Sequence, residues 1–130
     1  MNTKDWNILL VDDEEDFVTT LCERLELRGI VCRVALDGER GLKAVADEPP
    51  DVVVLDMYMP GLKGLDVLKR IKQEHASVQV IMLTGQGATK DGMDGMKLGA
   101  FDYMVKPLSI DDLTEKLGEA VNAARTGDKS

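Results

Sequence analysis

Five side chains in this sequence have the types and spacing to do chemistry together: Asp12, Asp13, Asp56, Thr84 and Lys106. Each ends or directly follows a short apolar run, Ile8–Val11, Val52–Leu55, Val78–Leu83 or Phe101–Val105. Three carboxylates gathered in one crevice repel one another and call for a compensating cation. Mg²⁺ suits such a set, because it takes one or two carboxylates, keeps several waters and leaves a position for a phosphate oxygen. Lys106 supplies a second positive charge, Thr84 a hydroxyl donor, and Gly85 a backbone N–H with open space beside it. A carboxylate so placed is equipped to attack phosphorus and form an acyl phosphate. No general base is needed, since an ordinary Asp is already ionised at neutral pH. Taken alone, Asp56 reads equally well as a solvated residue that starts a turn before Pro60-Gly61.

The elements that must position these residues follow from the apolar pattern. Val52-Val53-Val54-Leu55 has the unbroken apolar character of a strand covered on both faces. Asn7–Val11, Ile30–Ala35, Val78–Leu83 and Phe101–Val105 read as four more strands. Between them, Phe17, Leu21 and Leu25 give the first helix its stripe, with Glu14, Glu15 and Asp16 complementing the dipole of its first turn. Leu42, Val45 and Ala46 mark the second helix, and Leu65, Leu68 and Ile71 the third. A fourth helix is expected from Gly87 to Gly99 on the strength of Met93, Met96 and Leu98. Gly92 and Gly95 each cost on the order of 1 kcal/mol there, so it should be the softest helix. Ser109 and Asp112 resemble a capping box, ahead of a last helix with Leu113, Leu117, Val121 and Ala124 on one face. Five strands alternating with five helices imply an α/β fold, a parallel doubly wound (βα)5 sheet. In such sheets the carboxyl ends of the strands meet at one crevice, where all five chemical residues fall.

The totals set outer bounds. A chain of 130 residues, 44% hydrophobic, suits one domain, expected over residues 1–125 with a frayed tail at 126–130. Its net charge of −8 opposes nucleic-acid binding through a general field. No window is apolar enough for a membrane span and the first residues are polar, so a cytoplasmic location is expected. Cys22 and Cys32 lack partner motifs and read as fillers, and the single histidine, His75, reads as a solvent-facing helix end.

The joint pattern resembles the receiver domain of two-component response regulators (CheY-like). Asp12-Asp13 follows the first strand, Val54-Leu55-Asp56-Met57-Tyr58-Met59-Pro60-Gly61 surrounds the third strand's end, and Thr84-Gly85 and Lys106-Pro107 follow the fourth and fifth. The match runs from Ile8 to about Ala124. The resemblance implies a flavodoxin-like sheet of order 2-1-3-4-5. It implies Asp56 as phosphoacceptor, and Mg²⁺ held by Asp13, Asp56 and the Tyr58 backbone carbonyl with Asp12 assisting through water. Thr84 and Lys106 would hold the phosphoryl oxygens, and a cis Lys106-Pro107 bond would aim the lysine inward. Tyr103 matches the aromatic switch position, while Tyr58 and Gln86 fall at the two tuning positions beside the route of an attacking water. The implied partners are a histidine kinase or histidine phosphotransfer protein. A downstream protein target would bind the face made by the fourth helix, fifth strand and fifth helix. Direct binding of nucleic acid or membrane is not expected.

Three other classes compete. A flavin protein needs a phosphate cradle after the first strand, where this chain has a run of acids. An Asp-nucleophile phosphatase shares the acyl phosphate, but typically has a second Asp where Tyr58 stands. A metal-free interaction module would respond to neither Mg²⁺ nor a phosphodonor. Within the receiver reading a stand-alone regulator is expected, which catalyses only its own phosphorylation and dephosphorylation. The alternative is the excised amino-terminal receiver of a longer transcriptional regulator.

Overall fold

Alternation along the strands creates two cores on opposite faces of one sheet. In β1 (Ile8–Val11), Ile8 and Leu10 point to one face and Leu9 and Val11 to the other. In β3 (Val52–Asp56), Val52 and Val54 join the first core, Val53 and Leu55 the second. With β2 (Cys32–Ala35), β4 (Gln79–Thr84) and β5 (Asp102–Val105), these form a parallel sheet of order β2-β1-β3-β4-β5, as the resemblance implied. The computed structural model describes residues 3–87 and 89–127, without the side chain of Thr89. Among these residues no helix is long and apolar enough to cross a membrane.

Helices α1 (Glu15–Glu26) and α5 (Ile110–Thr126) cover one face. They bury Val18, Leu21, Leu25, Leu113, Leu117 and Val121 against Ile8, Leu10, Val54, Ile81 and Leu83. Helices α2 (Gly38–Asp47) and α3 (Gly64–Glu74) cover the other, with Val45, Val67, Leu68 and Ile71 against Leu9, Val11, Leu55 and Met82. The short fourth helix, α4 (Thr89–Lys97), sits against β4 and β5. Burying apolar side chains on both faces is the main stabilising term, at about 25 cal/mol per Å² of surface removed from water.

The structure corrects the expected elements in four places. Strand β2 begins at Cys32, not Ile30, because the Ile30 N–H donates to the Leu25 carbonyl and so belongs to the closure of α1. In α2, Ala46 is exposed and Gly41 takes the inner position, against Val11. Helix α4 faces inward through Gly92 and Gly95, while Met93, Met96 and Leu98 are exposed. A Cβ on Gly95 would lie 2.0 Å from Met82 Sδ, and one on Gly92 3.0 Å from the Tyr103 ring. A side chain at Gly95 would overlap Met82 and one at Gly92 would press on the Tyr103 ring, and this close packing outweighs the apolar pattern of the methionines. Last, α5 runs to Thr126 and Gly127 closes it with φ of 76°, beyond the expected boundary at 125. Residues 128–130 of the expected tail lie outside the described residues.

Candidate functional site

Parallel register brings the chemical residues to one edge. Val11 lies opposite Leu55, Asp56 opposite Leu83, and Thr84 opposite Val105. Asp12 and Asp56 therefore leave their strands at the same level, with Thr84 one residue and Lys106 two residues beyond it. Helix α3 packs directly behind the loop that follows β3: a Cβ on Gly64 would meet the Met57 Cα at 2.7 Å and the Asp56 carbonyl at 3.1 Å. Only glycine lets the helix approach that closely.

One carboxylate oxygen from each of Asp12, Asp13 and Asp56 lies within 4.8 Å of the others. Asp12 and Asp56 are buried, at 2% and 3% exposure. Lys106 Nζ stands 3.0 Å from Asp12 Oδ2, 3.0 Å from Glu14 Oε1 and 3.8 Å from Asp56 Oδ1, with its charge 4.3 Å from the Phe17 ring centroid. The second Asp12 oxygen accepts the Glu14 N–H at 2.9 Å. Asp56 Oδ1 accepts the Tyr58 N–H at 3.2 Å. Hard, mutually repelling oxygen donors, those of Asp12 and Asp56 buried, with one ammonium to balance three acids, fit a divalent cation such as Mg²⁺.

Burial pushes the Asp56 carboxyl up from its ordinary 3.8 to about 6, and the Asp12 charge adds to this. The Tyr58 N–H and the Lys106 ammonium pull the other way without cancelling it. Asp56 is thus mostly ionised at neutral pH, by a smaller margin than a free Asp. Burial lowers Lys106, but its hydrogen bonds to Asp12 and Glu14 and the Asp56 field outweigh that, leaving it raised and charged.

The expected site residues are brought together with two differences of detail. The Thr84 hydroxyl donates to the Met104 carbonyl at 3.4 Å, toward β5, and would have to rotate to reach a group on Asp56. Lys106 is held mainly by Asp12 and Glu14, not by Asp56. The Lys106-Pro107 bond is cis, as the resemblance implied. Gly85 lies beside the Tyr58 ring, Gln86 is exposed in the turn after β4, and Tyr103 is half-buried against α4. Cys22 and Cys32 are free thiols, half-buried between α1 and β2, as expected of fillers.

Three residues at the site escaped the sequence reading. Glu14 reads from the sequence as an acid complementing the helix dipole, yet it precedes α1 as its N-cap and pairs with Lys106. Phe17 was assigned to the apolar stripe, yet its ring faces the lysine. Asp91 on α4 accepts a hydrogen bond from the Tyr58 hydroxyl, a contact between residues 33 positions apart that no local signal marks.

Fold and site together define a doubly wound α/β domain with an acidic, cation-seeking crevice at the carboxyl edge of its sheet. The chain belongs to the response regulator receiver domain family, whose model matches residues 8–118. It is 44% identical over 109 residues to the alkaline phosphatase synthesis transcriptional regulatory protein PhoP of Bacillus subtilis, covering 84% of this chain and 44% of that protein. With the transcriptional regulatory protein CpxR of Klebsiella pneumoniae it shares 41% over 110 residues, 85% of this chain and 47% of CpxR. The chain thus spans about half the length of the curated relatives it matches. Among solved structures, a receiver domain protein from Clostridium thermocellum superposes with a TM-score of 0.89 at 34% identity, covering 95% of this chain and 99% of the other. The receiver domain of NtrX from Brucella abortus gives 0.84 at 33%, covering 88% and 98%. This is therefore a two-component signalling domain, of a family that binds Mg²⁺ at an acidic pocket.

Proposed function

We propose that Asp56 is the phosphoacceptor of this domain and that Mg²⁺ is its cofactor. The observation that carries the reading is the cluster of Asp12, Asp13 and Asp56 oxygens within 4.8 Å, with Lys106 3.8 Å from Asp56. An Asp56 oxygen attacks phosphorus, the bond to the donor's imidazole nitrogen breaks, and the imidazole leaves with the electron pair. Asp13, Asp56 and the Tyr58 carbonyl would hold the metal, with Asp12 assisting. When bound, the cation neutralises charge on the transferring group. Lys106 turns from Asp12 and Glu14 toward a phosphoryl oxygen, and Thr84 rotates away from Met104 to donate to another. Tyr103 of β5, which packs against α4, follows Thr84, so the mark is read on the face of α4, β5 and α5. Exposed Met93, Met96, Leu98 and Val105 on α4 and β5 and between them supply apolar surface for a protein target there.

The phosphoryl donor is a histidine kinase or histidine phosphotransfer protein. Catalysis is confined to the domain's own phosphorylation and dephosphorylation, and the reading places it in the cytoplasm. The net charge of −8 opposes DNA binding by this domain itself.

The test is intact mass after acetyl phosphate, with and without Mg²⁺, on native protein and Asp56→Asn. One phosphoryl group is expected on native protein, with Mg²⁺ and not in the variant. Modification that persists in Asp56→Asn would overturn the assignment.

A further inference from the structure

Tyr58 links four parts of the domain. Its N–H donates to Asp56 Oδ1 at 3.2 Å. Its ring lies over Gly85, with Cε2 4.0 Å from where a Cβ on that glycine would be. Its hydroxyl donates to the Asp91 carboxylate in the first turn of α4. The ring also walls a groove of about 750 Å³, lined by Met57, Met59, Pro60 and Leu65 among others, to which Asp12, Asp56, Thr84 and Lys106 do not contribute. Tyr58 therefore belongs both to that groove and, through its N–H, to the acid cluster.

We propose that Asp91 is a positioning residue for the phosphorylated domain: by accepting the Tyr58 hydroxyl hydrogen bond, it holds the ring beside Gly85 and keeps water from the acyl phosphate. The inference rests on Asp56 being the acceptor. Hydrolysis requires a water oxygen to add to phosphorus while the Asp56 oxygen–phosphorus bond breaks. The electron pair returns to the carboxylate, and the water's protons stay with inorganic phosphate and solvent. A ring lying across one approach obstructs that addition only if it stays there.

Tyr58 is 53% exposed, so packing alone does not fix its rotamer. The hydrogen bond from its hydroxyl to Asp91 does. Lys90, next to Asp91 in sequence, forms its ion pair with Asp94 at 2.9 Å. Asp91 itself suits its place, because a carboxylate in the first turn complements the helix dipole.

The test loads each protein with acetyl phosphate and Mg²⁺, removes the donor and follows loss of the phosphoryl group by intact mass. Asp91→Ala and Tyr58→Phe are each expected to shorten its lifetime about fivefold, the scale of one lost hydrogen bond. Asp91→Asn keeps an acceptor oxygen and should restore most of the native lifetime. A native decay rate in Asp91→Ala would overturn the inference while leaving Asp56 as acceptor. So would an Asp91→Asn decay as fast as that of Asp91→Ala, since charge and not the hydrogen bond would then be responsible. Failure of the native protein to take up the phosphoryl group would instead overturn the reading of Asp56, and this inference with it.

Discussion

At Asp56, burial and function oppose each other. The folded domain raises this carboxyl from 3.8 to about 6, so it binds a proton more tightly than the unfolded chain does. The protonated group costs the fold nothing below about pH 4, and the cost grows as pH rises through 4 to 6. Above that window the metal-free fold bears the whole penalty, up to about 3 kcal/mol at 1.36 kcal/mol per pH unit. Asp56→Asn removes it. Denaturant unfolding in a chelator should find the variant more stable than native protein at pH 8, and close to it near pH 4. Equal stability at both would show that Asp56 is not held at a raised pKa. Lys106 has the opposite part: it offsets the charge of Asp12 and Glu14, and replacing it leaves a buried carboxylate uncompensated. Lys106→Met should therefore lose about 2 kcal/mol or more at pH 8, measured the same way.

The elements around the site differ in how firmly they are seated. Helices α1 and α5 bury apolar side chains along their lengths, whereas α4 buries Gly92 and Gly95. Such a helix contributes little burial, and glycine costs it about 1 kcal/mol per site relative to Ala. Amide exchange in α4 should be faster than in α1, and equal protection would contradict the reading of α4 as a soft, switchable element. Substitution separates the two glycines. Gly95→Ala gains about 1 kcal/mol of helix propensity but overpacks the fully buried Met82, a cost of about 1–3 kcal/mol. Unfolding measurements should show a net loss. At Gly92 the tighter contact is with the half-buried Tyr103 ring, which can yield by a few tenths of an ångström, so Gly92→Ala should be near neutral.

For the whole domain, metal and pH are linked. On the proposed reading, binding Mg²⁺ requires Asp56 ionised, so its stabilising effect should be larger at pH 8 than at pH 5. At ten times the dissociation constant it should approach about 1.4 kcal/mol, and EDTA should abolish it. Thermal unfolding reads this directly. Trp6, the single tryptophan, does not: it is buried ahead of β1, at the amino end of the strands, and packs against Gly118 of α5. Unchanged fluorescence on adding Mg²⁺ is therefore expected and does not argue for a metal-free module.

The sequence by itself determined the sheet, both cores and the identity of the acid cluster. Strand alternation and runs such as Val52–Leu55 are local signals, and in a parallel sheet each residue that follows such a run must reach the same edge. Where two local signals disagreed, only tertiary contact decided. Helix α4 carried both methionines and glycines, and the inward face went to Gly92 and Gly95 because Met82 and Tyr103 fill the space a side chain would need. Glu14 satisfied the helix-dipole rule and was set aside, until Lys106, 92 positions away, proved to be its partner. The bond from Tyr58 to Asp91 joins a loop to a helix through side chains alone, and spacing along a chain carries no record of such a contact.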